Sequence, residues 1–389
     1  MNCCKDSGYR YESVFAHASF QFCGHIDEYL ISNTRHLTLV RFQTRFGSGG
    51  HLLERYEEGR LVEERKLRSA KNIFLYYLLW SFHHNRELWR HSHRLKCMTV
   101  VLFTHPVGCF GMGLQRLFGH VKFAFWPWDW FPPTSLPLKI YAAVVRFYAK
   151  RSDFTYALTN AIAAKIGGNA VVVMLGMKRL PCADADRSRS RHILVVGQLR
   201  QGQGIEDVLD FIAEHPEYSL TLLGAAAHGF EHVIEERVRI NHLEGRVNFP
   251  NRFVSQDELS EAAAKCFCGL ALYDTSADNF THYADPGKVK SYLEMGLPVV
   301  MTRISGIIPY IEKYEAGEVI DSIADLPAAV SRIVANPHSY SAGVRAISKH
   351  FEYEPYYSRT FHADHFDNTA YHFGEGTWSE MLLVDGGGV

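Results

Sequence analysis

The chain has 389 residues, of which 47% are apolar and 21% charged, and its formal net charge is −1. That length exceeds one ordinary core and suits two domains, and the composition excludes a disordered chain. No run reaches the roughly 18 apolar residues that span a bilayer. No apolar stretch follows Met1-Asn-Cys-Cys-Lys-Asp as a signal peptide would require, so the expected location is cytoplasmic. The near-neutral total hides a split: residues 1–190 carry 26 Lys+Arg against 14 Asp+Glu, and residues 191–389 carry 15 against 28. A basic N-terminal half favours an anionic partner, and a membrane surface at which the protein sits peripherally is a candidate. No nucleic-acid-binding motif is present, and nucleic acid is not an expected partner. The eight cysteines form no C-x-x-C pair, so neither disulfides nor a zinc site is expected. Cys266 and Cys268 read as small core residues sharing one face of a strand.

In chain order, apolar runs predict strands at Ser13–Ala16, Leu37–Val40, Met98–Phe103, Val121–Phe125 and Phe154–Leu158, with helices over 70–90, 137–150 and 160–166. The run 72–82 is about half a membrane span and predicts a buried or interfacial helix. Arg65, Lys66, Arg68, Lys71, Arg86, Arg90, Arg94 and Lys96 surround it. His83, His84, His91 and His93 fit no standard metal spacing and predict a polar helix face. The polar stretch 181–190, where the charge balance changes sign, reads as a linker. Beyond it, strands at His192–Gly197, Tyr218–Gly224, Arg246–Phe249, Cys268–Tyr273 and Pro298–Thr302 alternate with helices over 205–214 and 230–240. A capping box, Ser255 to Glu258, opens another helix, and Asp285 as N-cap with Pro286 at the first position opens the next. This alternation means a parallel, doubly wound sheet. The expected organisation is a domain over 1–180, the linker, a second domain over 191–351, and a segment over 352–389 that crosses back and frays after Asp385.

Two turns carry candidate binding residues. The Gly-rich turn after the strand at 192–197 holds Gly197, Arg200, Gly202 and Gly204, and lets backbone N–H groups approach a phosphate at a helix start. The segment 283–300 places Asp285, Gly287 and Lys288 at a second helix start on the same sheet edge. A cation in a first helical turn is disfavoured by the helix dipole unless an anion is near, so Lys288 reads as a diphosphate contact. Glu294 has a carboxylate suited to ribose hydroxyls. In the N-terminal half, His105 and Asp129 follow strands and would lie at the carboxyl edge of their own sheet, where either can take a hydroxyl proton. Asp129 stands between Trp128 and Trp130, aromatic neighbours of the kind that stack on sugars.

The segment Asp285-Pro-Gly-Lys-Val-Lys-Ser-Tyr-Leu-Glu-Met-Gly-Leu-Pro-Val-Val300, with the turn at 197–205, resembles the donor-binding domain of GT-B glycosyltransferases in the group similar to family 4. Their pattern is P-x-K-x-x-E/K-Y-x-x-x-G-x-P-V. The resemblance covers about 180–340, and Phe123–Pro132 is similar to their acceptor side. It implies an α/β, GT-B-like fold: two Rossmann-like domains with parallel sheets facing a cleft. It also implies transfer of a sugar from a UDP- or GDP-linked donor to a hydroxyl of a glycan or glycolipid, with the nucleotide sugar as co-substrate and no metal or other cofactor required. The sequence departs from that group where E-x7-E would put its first Glu: Pro286 stands there, with Asp285 adjacent and Glu294 as the second. Gln198 and Gln203 stand where an Arg and a Lys flank the turn, with Arg200 as a substitute. A sugar-nucleotide epimerase of similar architecture, or an inactive paralogue acting as a binding subunit, are the alternatives.

Overall fold

The computed structural model describes residues 8–17, 24–41, 51–70, 72–95, 99–106, 110, 121–167, 169–180, 187–275 and 280–361. The first part of the expected linker, 181–186, and the tail beyond 361 lie outside them, as do Lys71, Lys96 and six of the eight cysteines.

The N-terminal half contains β1 (Tyr11–His17), α1 (Ile26–Asn33), β2 (Thr34–Arg41), β3 (His51–Glu57), β4 (Arg60–Leu67), α2 (Ile73–Leu95), β5 (Thr99–Phe103), β6 (Val121–Phe125), α3 (Leu136–Arg151), β7 (Phe154–Ala157), α4 (Asn160–Ile166) and β8 (Val171–Val172). Its eight strands form one sheet in the order β4-β3-β2-β1-β5-β6-β7-β8. The five strands from β1 to β5 through β8 pair in parallel with their neighbours, and β1 also pairs in parallel with β2. The expectation of purely parallel sheets is corrected at one edge, where β2-β3 and β3-β4 are antiparallel. The β3-β4 hairpin turns at Glu58 and Gly59, both with positive φ, as a tight hairpin requires.

The C-terminal half contains β9 (His192–Val196), α5 (Ile205–Glu214), β10 (Ser219–Leu223), α6 (Phe230–Ile240), β11 (Val247–Asn248), α7 (Gln256–Lys265), β12 (Cys268–Ala271), α8 (Gly287–Glu294), β13 (Val299–Thr302), α9 (Ile308–Tyr314), β14 (Gly317–Ile320), α10 (Leu326–Ala335), α11 (Pro337–His350) and α12 (Tyr353–Thr360). Its six strands are all parallel, in the order β11-β10-β9-β12-β13-β14. The crossing of the strand order between β9 and β12 leaves a crevice at the carboxyl ends of those strands, the usual ligand position in such sheets. The Ser255–Glu258 capping box is present as expected. Asp285 is not the N-cap of α8; Pro286 takes that position and the helix starts at Gly287. Cys266 and Cys268 are buried free thiols, though Cys266 caps α7 and only Cys268 lies in a strand.

The final helix, α12, returns to the first half. The Tyr357 hydroxyl donates to the Gly24 carbonyl at 2.6 Å and accepts from the Gly176 amide at 2.7 Å. The Tyr11 hydroxyl donates to the Phe361 carbonyl at 2.7 Å. Phe361 packs on Trp126 and Tyr156 in the core of the first sheet.

Helix α2 reverses its expected polarity. Of the four histidines that predict a polar helix face, His93 is exposed, but His83, His84 and His91 are buried against the sheet. The sheet accommodates them because its own facing residues are polar or aromatic. His91 bonds Ser13 and Thr38 at 2.8 Å through its two ring nitrogens. His83 bonds the Arg68 carbonyl at 2.9 Å. His84 packs edge-on against Phe15 and His17, and its ring nitrogens have no hydrogen-bond partner among the described residues. Among the described residues, no group of three or more His, Cys, Asp or Glu side chains is arranged to hold a metal.

Burial holds these imidazoles below the ordinary histidine range: His84 is pushed down to about 3 and His51, from β3, to about 4. His17, from β1, is lowered too, by burial first and then by His84, His105 and His51. The unfolded chain takes up these protons near pH 6.5 and the folded chain only at lower pH. Stability is therefore complete above that value and falls as the pH drops toward 4, by about 1.4 kcal/mol per pH unit for each histidine held neutral. Thermal denaturation at pH 7 and pH 5 should show a lower midpoint at pH 5. His84→Leu, which fills the site without a titrating group, should reduce that difference; an equal or larger difference in the variant would contradict the assignment.

Candidate functional site

Most of the residues expected to bind a donor gather at the carboxyl edge of β9. Gly204 is the N-cap of α5 with φ of 64°, and a Cβ there would meet the Leu272 side chain at 2.7 Å. Only glycine therefore lets the turn close against β12 and present its amides at the start of α5. Gly197 and Gly202 also adopt positive φ, and the Gly202 carbonyl accepts from the Asp274 amide at 2.9 Å. Arg200 rises from this turn and lies 5.2 Å over the Phe280 ring.

Lys288 approaches the same turn from the first turn of α8. Its Cε lies 3.9 Å from where a Gly197 Cβ would stand. Its ammonium lies 4.9 Å over the Tyr273 ring and 3.3 Å from the side-chain amide of Gln203. With the amide turned the other way, Gln203 instead donates to the Gln198 carbonyl at 2.8 Å and accepts from Arg200 Nε at 3.2 Å. Neither Lys288 nor Arg200 has a carboxylate partner among the described residues, where no ion pair involves either one. Burial, and then the charge of Arg200, push the Lys288 pKa down to about 8. Two cations thus converge on a partly closed recess lined by backbone amides, an arrangement that an anion would relieve.

Two of the expected donor residues stand elsewhere. Asp285 is buried between the two halves. Its Oδ2 accepts from the Leu175 amide at 2.8 Å and lies 3.7 Å from the buried Lys290 ammonium. Burial raises its pKa, and Lys290 opposes that shift. Glu294 ends α8, at the opposite end of the helix from Lys288. Its Oε1 accepts from the Lys178 amide at 2.8 Å and lies 2.7 Å from His25 Nε2, in the first half. Both carboxylates join the two halves rather than facing the recess that holds Lys288. Gly287, the first residue of α8, does stay beside Lys288.

The other wall comes from the first sheet. His105 follows β5, and its ring stacks on Trp80 and Tyr77 of α2 at 5.0 and 6.0 Å between centroids. Tyr141 of α3 lies 6.2 Å from the His105 ring, and its hydroxyl donates to the Asp129 carbonyl at 3.4 Å. His105 and Asp129 are thereby brought to one recess. The Asp129 side chain is open to solvent, yet the protein around it withholds enough water to raise its pKa. Burial lowers the His105 pKa to about 4, so the ring is neutral near pH 7 and able to accept a proton. Phe131, two residues after Asp129, meets Phe280 of the other half at 5.8 Å. Because Arg200 lies over that same Phe280, the aromatic pair bridges the cation recess and the Asp129 recess.

Sequence reasoning missed Tyr273, Phe280, Tyr141 and Ser291. Ser291 is the one with a signal: counted back from Gly296, it holds the E/K position of P-x-K-x-x-E/K-Y-x-x-x-G-x-P. It lies three residues from Lys288 on the same half-buried helix face, and its hydroxyl donates to the Gly287 carbonyl at 3.1 Å.

Residues 237–359 match the family described as glucosyltransferase 3-like, C-terminal domain. No curated protein sequence matches the chain significantly. Among solved structures, sucrose-phosphate synthase from Thermosynechococcus elongatus superposes with a TM-score of 0.65 at 13% identity, covering 90% of this chain and 97% of that one. The lipopolysaccharide outer core galactosyltransferase WaaB, in its apo form, gives 0.60 at 16% identity, covering 90% and 99%. Anabaena HepE in complex with UDP gives 0.60 at 13% identity, covering 95% and 99%. With two α/β halves, a wholly parallel second sheet and a helix that returns to the first half, the chain has the GT-B glycosyltransferase fold.

Proposed function

We propose that this protein transfers a sugar from a UDP- or GDP-linked donor to a hydroxyl of a glycan or glycolipid acceptor. The observation that carries the reading is the convergence of Lys288 and Arg200, without a carboxylate partner among the described residues, on the Gly197–Gly204 turn. A donor diphosphate there neutralises both cations and accepts from the amides of the turn. Several similar structures hold a uridine nucleotide, HepE with UDP among them. We take residues 1–180 as the acceptor-side unit, 191–351 as the donor-side unit, 181–190 as their connection and 352–389 as the return segment and tail.

In the reaction the acceptor oxygen bonds to the anomeric carbon as the bond from that carbon to the diphosphate oxygen breaks. The electron pair of the broken bond goes to the diphosphate, where Lys288 and Arg200 offset the new charge. The hydroxyl proton goes to Asp129, whose raised pKa strengthens it as a base, with neutral His105 the second candidate. Phe131 and Phe280 supply apolar faces for the sugar between the two sites.

Titration calorimetry with UDP and GDP tests the donor half. Lys288→Ala should weaken the preferred nucleotide about 10- to 100-fold, as expected for one charge-assisted contact. Affinity in the wild type should also fall as the pH rises through 8, where free Lys288 loses its proton. The fall should approach about tenfold per pH unit and be absent in Lys288→Ala. An unchanged Kd in a folded variant would remove Lys288 from the site.

Product formation at saturating donor with a glycolipid acceptor pool tests the chemical half. Asp129→Asn or His105→Ala should lower turnover about 10²- to 10⁴-fold, with nucleotide affinity unchanged within a few fold. If both variants keep more than about a third of the turnover, neither residue is the base. Turnover of the nucleotide sugar without acceptor would instead mark an epimerase.

A further inference from the structure

The buried histidines of α2 have a counterpart on its outer surface. Leu75, Leu78, Phe82 and Trp89 fall at i, i+3, i+7 and i+14, which is one helix face, and each is exposed. On α3, Leu136, Ile140 and Phe147 fall at i, i+4 and i+11, again one face, and each is exposed. Phe110 joins the two stripes. Its carbonyl accepts from Asn85 of α2 at 2.6 Å, and its ring lies 6.3 Å from Tyr148 of α3. These apolar side chains are 44% to 71% exposed, an exposure that water does not favour.

The exposed charges of these two helices are of one sign. Helix α3 contains no Asp or Glu, while its Lys139, Arg146, Lys150 and Arg151 are exposed. Arg151 folds over the Phe147 ring at 5.2 Å. On α2, Arg86 lies over Phe82 at 5.8 Å and Arg90 is exposed beyond it, while Arg94 pairs with Glu57 of β3. The one carboxylate of α2, Glu87, is buried and paired with Arg65, Arg86 and Arg90.

We propose that this face docks on an anionic lipid bilayer and presents a lipid-linked acceptor to the recess holding Asp129 and His105; the acceptor part rests on the transferase reading above. Aromatic and leucine side chains fringed by arginine and lysine, on helices that lie along the surface, suit the boundary between headgroups and acyl chains. The attachment is interfacial, since among the described residues no helix is long and apolar enough to cross a membrane. A second copy of the chain is a poorer occupant: a two-fold contact would set these arginines and lysines against each other with no exposed carboxylate on either helix to pair them. The docked face continues into the recess. Tyr77, beside Leu78, stacks on His105, and Tyr141, beside Ile140, bonds the Asp129 carbonyl. A hydroxyl anchored just above the headgroups would meet the recess without leaving the membrane.

Co-sedimentation of the full chain with vesicles tests this, using phosphatidylcholine alone and phosphatidylcholine mixed with phosphatidylglycerol. Binding is expected to the mixed vesicles, weakening as salt is raised. Lys150→Glu with Arg151→Glu should lower it at least about tenfold, since each basic residue near the surface is worth about fivefold. Leu78→Ser with Ile140→Ser should lower it comparably at any salt. All four positions are exposed, so UDP affinity and turnover on a water-dispersed acceptor should stay at wild-type values while turnover on vesicle-borne acceptor falls. Equal binding to both vesicle types, binding to neither, or a dimer in sedimentation velocity that Leu78→Ser with Ile140→Ser dissociates would overturn the proposal. Loss of UDP binding in the wild type would sink the transferase reading alone, since vesicle binding is measured without any nucleotide.

Discussion

The geometry of the cleft depends on one short stretch, Met174 to Lys178, where the chain passes from the first sheet toward the second. Each of its five amides is held from outside. Met174 donates to the Tyr356 hydroxyl, Leu175 to Asp285, Gly176 to the Tyr357 hydroxyl, Met177 to the Phe351 carbonyl and Lys178 to Glu294. A Cβ on Gly176 would meet Tyr353 at 2.7 Å, so α12 can lie flat on this stretch only because that residue is glycine. Buried amides without partners are costly, and this crossing leaves none of its five unpaired. A connection that would otherwise be a free hinge becomes a seam tied to α8, α11 and α12 at once.

The seam uses the two carboxylates that the sequence offers as nucleotide contacts. Asp285 and Glu294 flank α8, the helix that also carries Lys288. By fixing both ends of α8 to the crossing stretch, they set the position of Lys288 relative to the first half, where His105 and Asp129 stand. His25 adds a bond from α1's leading residue to Glu294 and Glu28. Lys290, wedged between Asp285 and the Phe351 ring at 3.6 Å, completes the packing beneath.

Much of this was legible in the sequence, and the failures have physical causes. The buried strands β1, β5, β6, β9, β10, β12 and β13 are apolar runs, and the helices over 205–214 and 230–240 have the bounds expected of them, because burial on a parallel sheet imposes that pattern. The β3-β4 hairpin escaped notice because an edge ribbon, with one side in water, is free to be rich in Arg and Glu. Asp285 was misassigned because Asp-Pro is a helix-start signal whether or not the Asp side chain turns back to cap. The Gly-rich turn, Arg200 and Lys288 could be singled out because what marks them is local: glycine backbone and a charge at a helix start. Tyr141 and Phe280 were not, since only the packing of distant elements gives them a role.

The reversed polarity of α2 ties these threads together. A helix that buries His83, His84 and His91 while Leu75 and Leu78 face water contradicts the usual division of surfaces. The inner half of the contradiction is resolved by the sheet, which offers Ser13, Thr38 and a bed of aromatic rings instead of an aliphatic layer. A polar inner layer of this kind contributes less to burial than leucines would, so stability alone does not select it. What the arrangement does achieve is to free the apolar residues for the outer surface while Trp80 and Tyr77 remain against His105. One helix thereby holds an apolar basic surface and a wall of the recess at His105 and Asp129 in fixed relation, and the seam at Met174–Lys178 fixes the helix that carries Lys288.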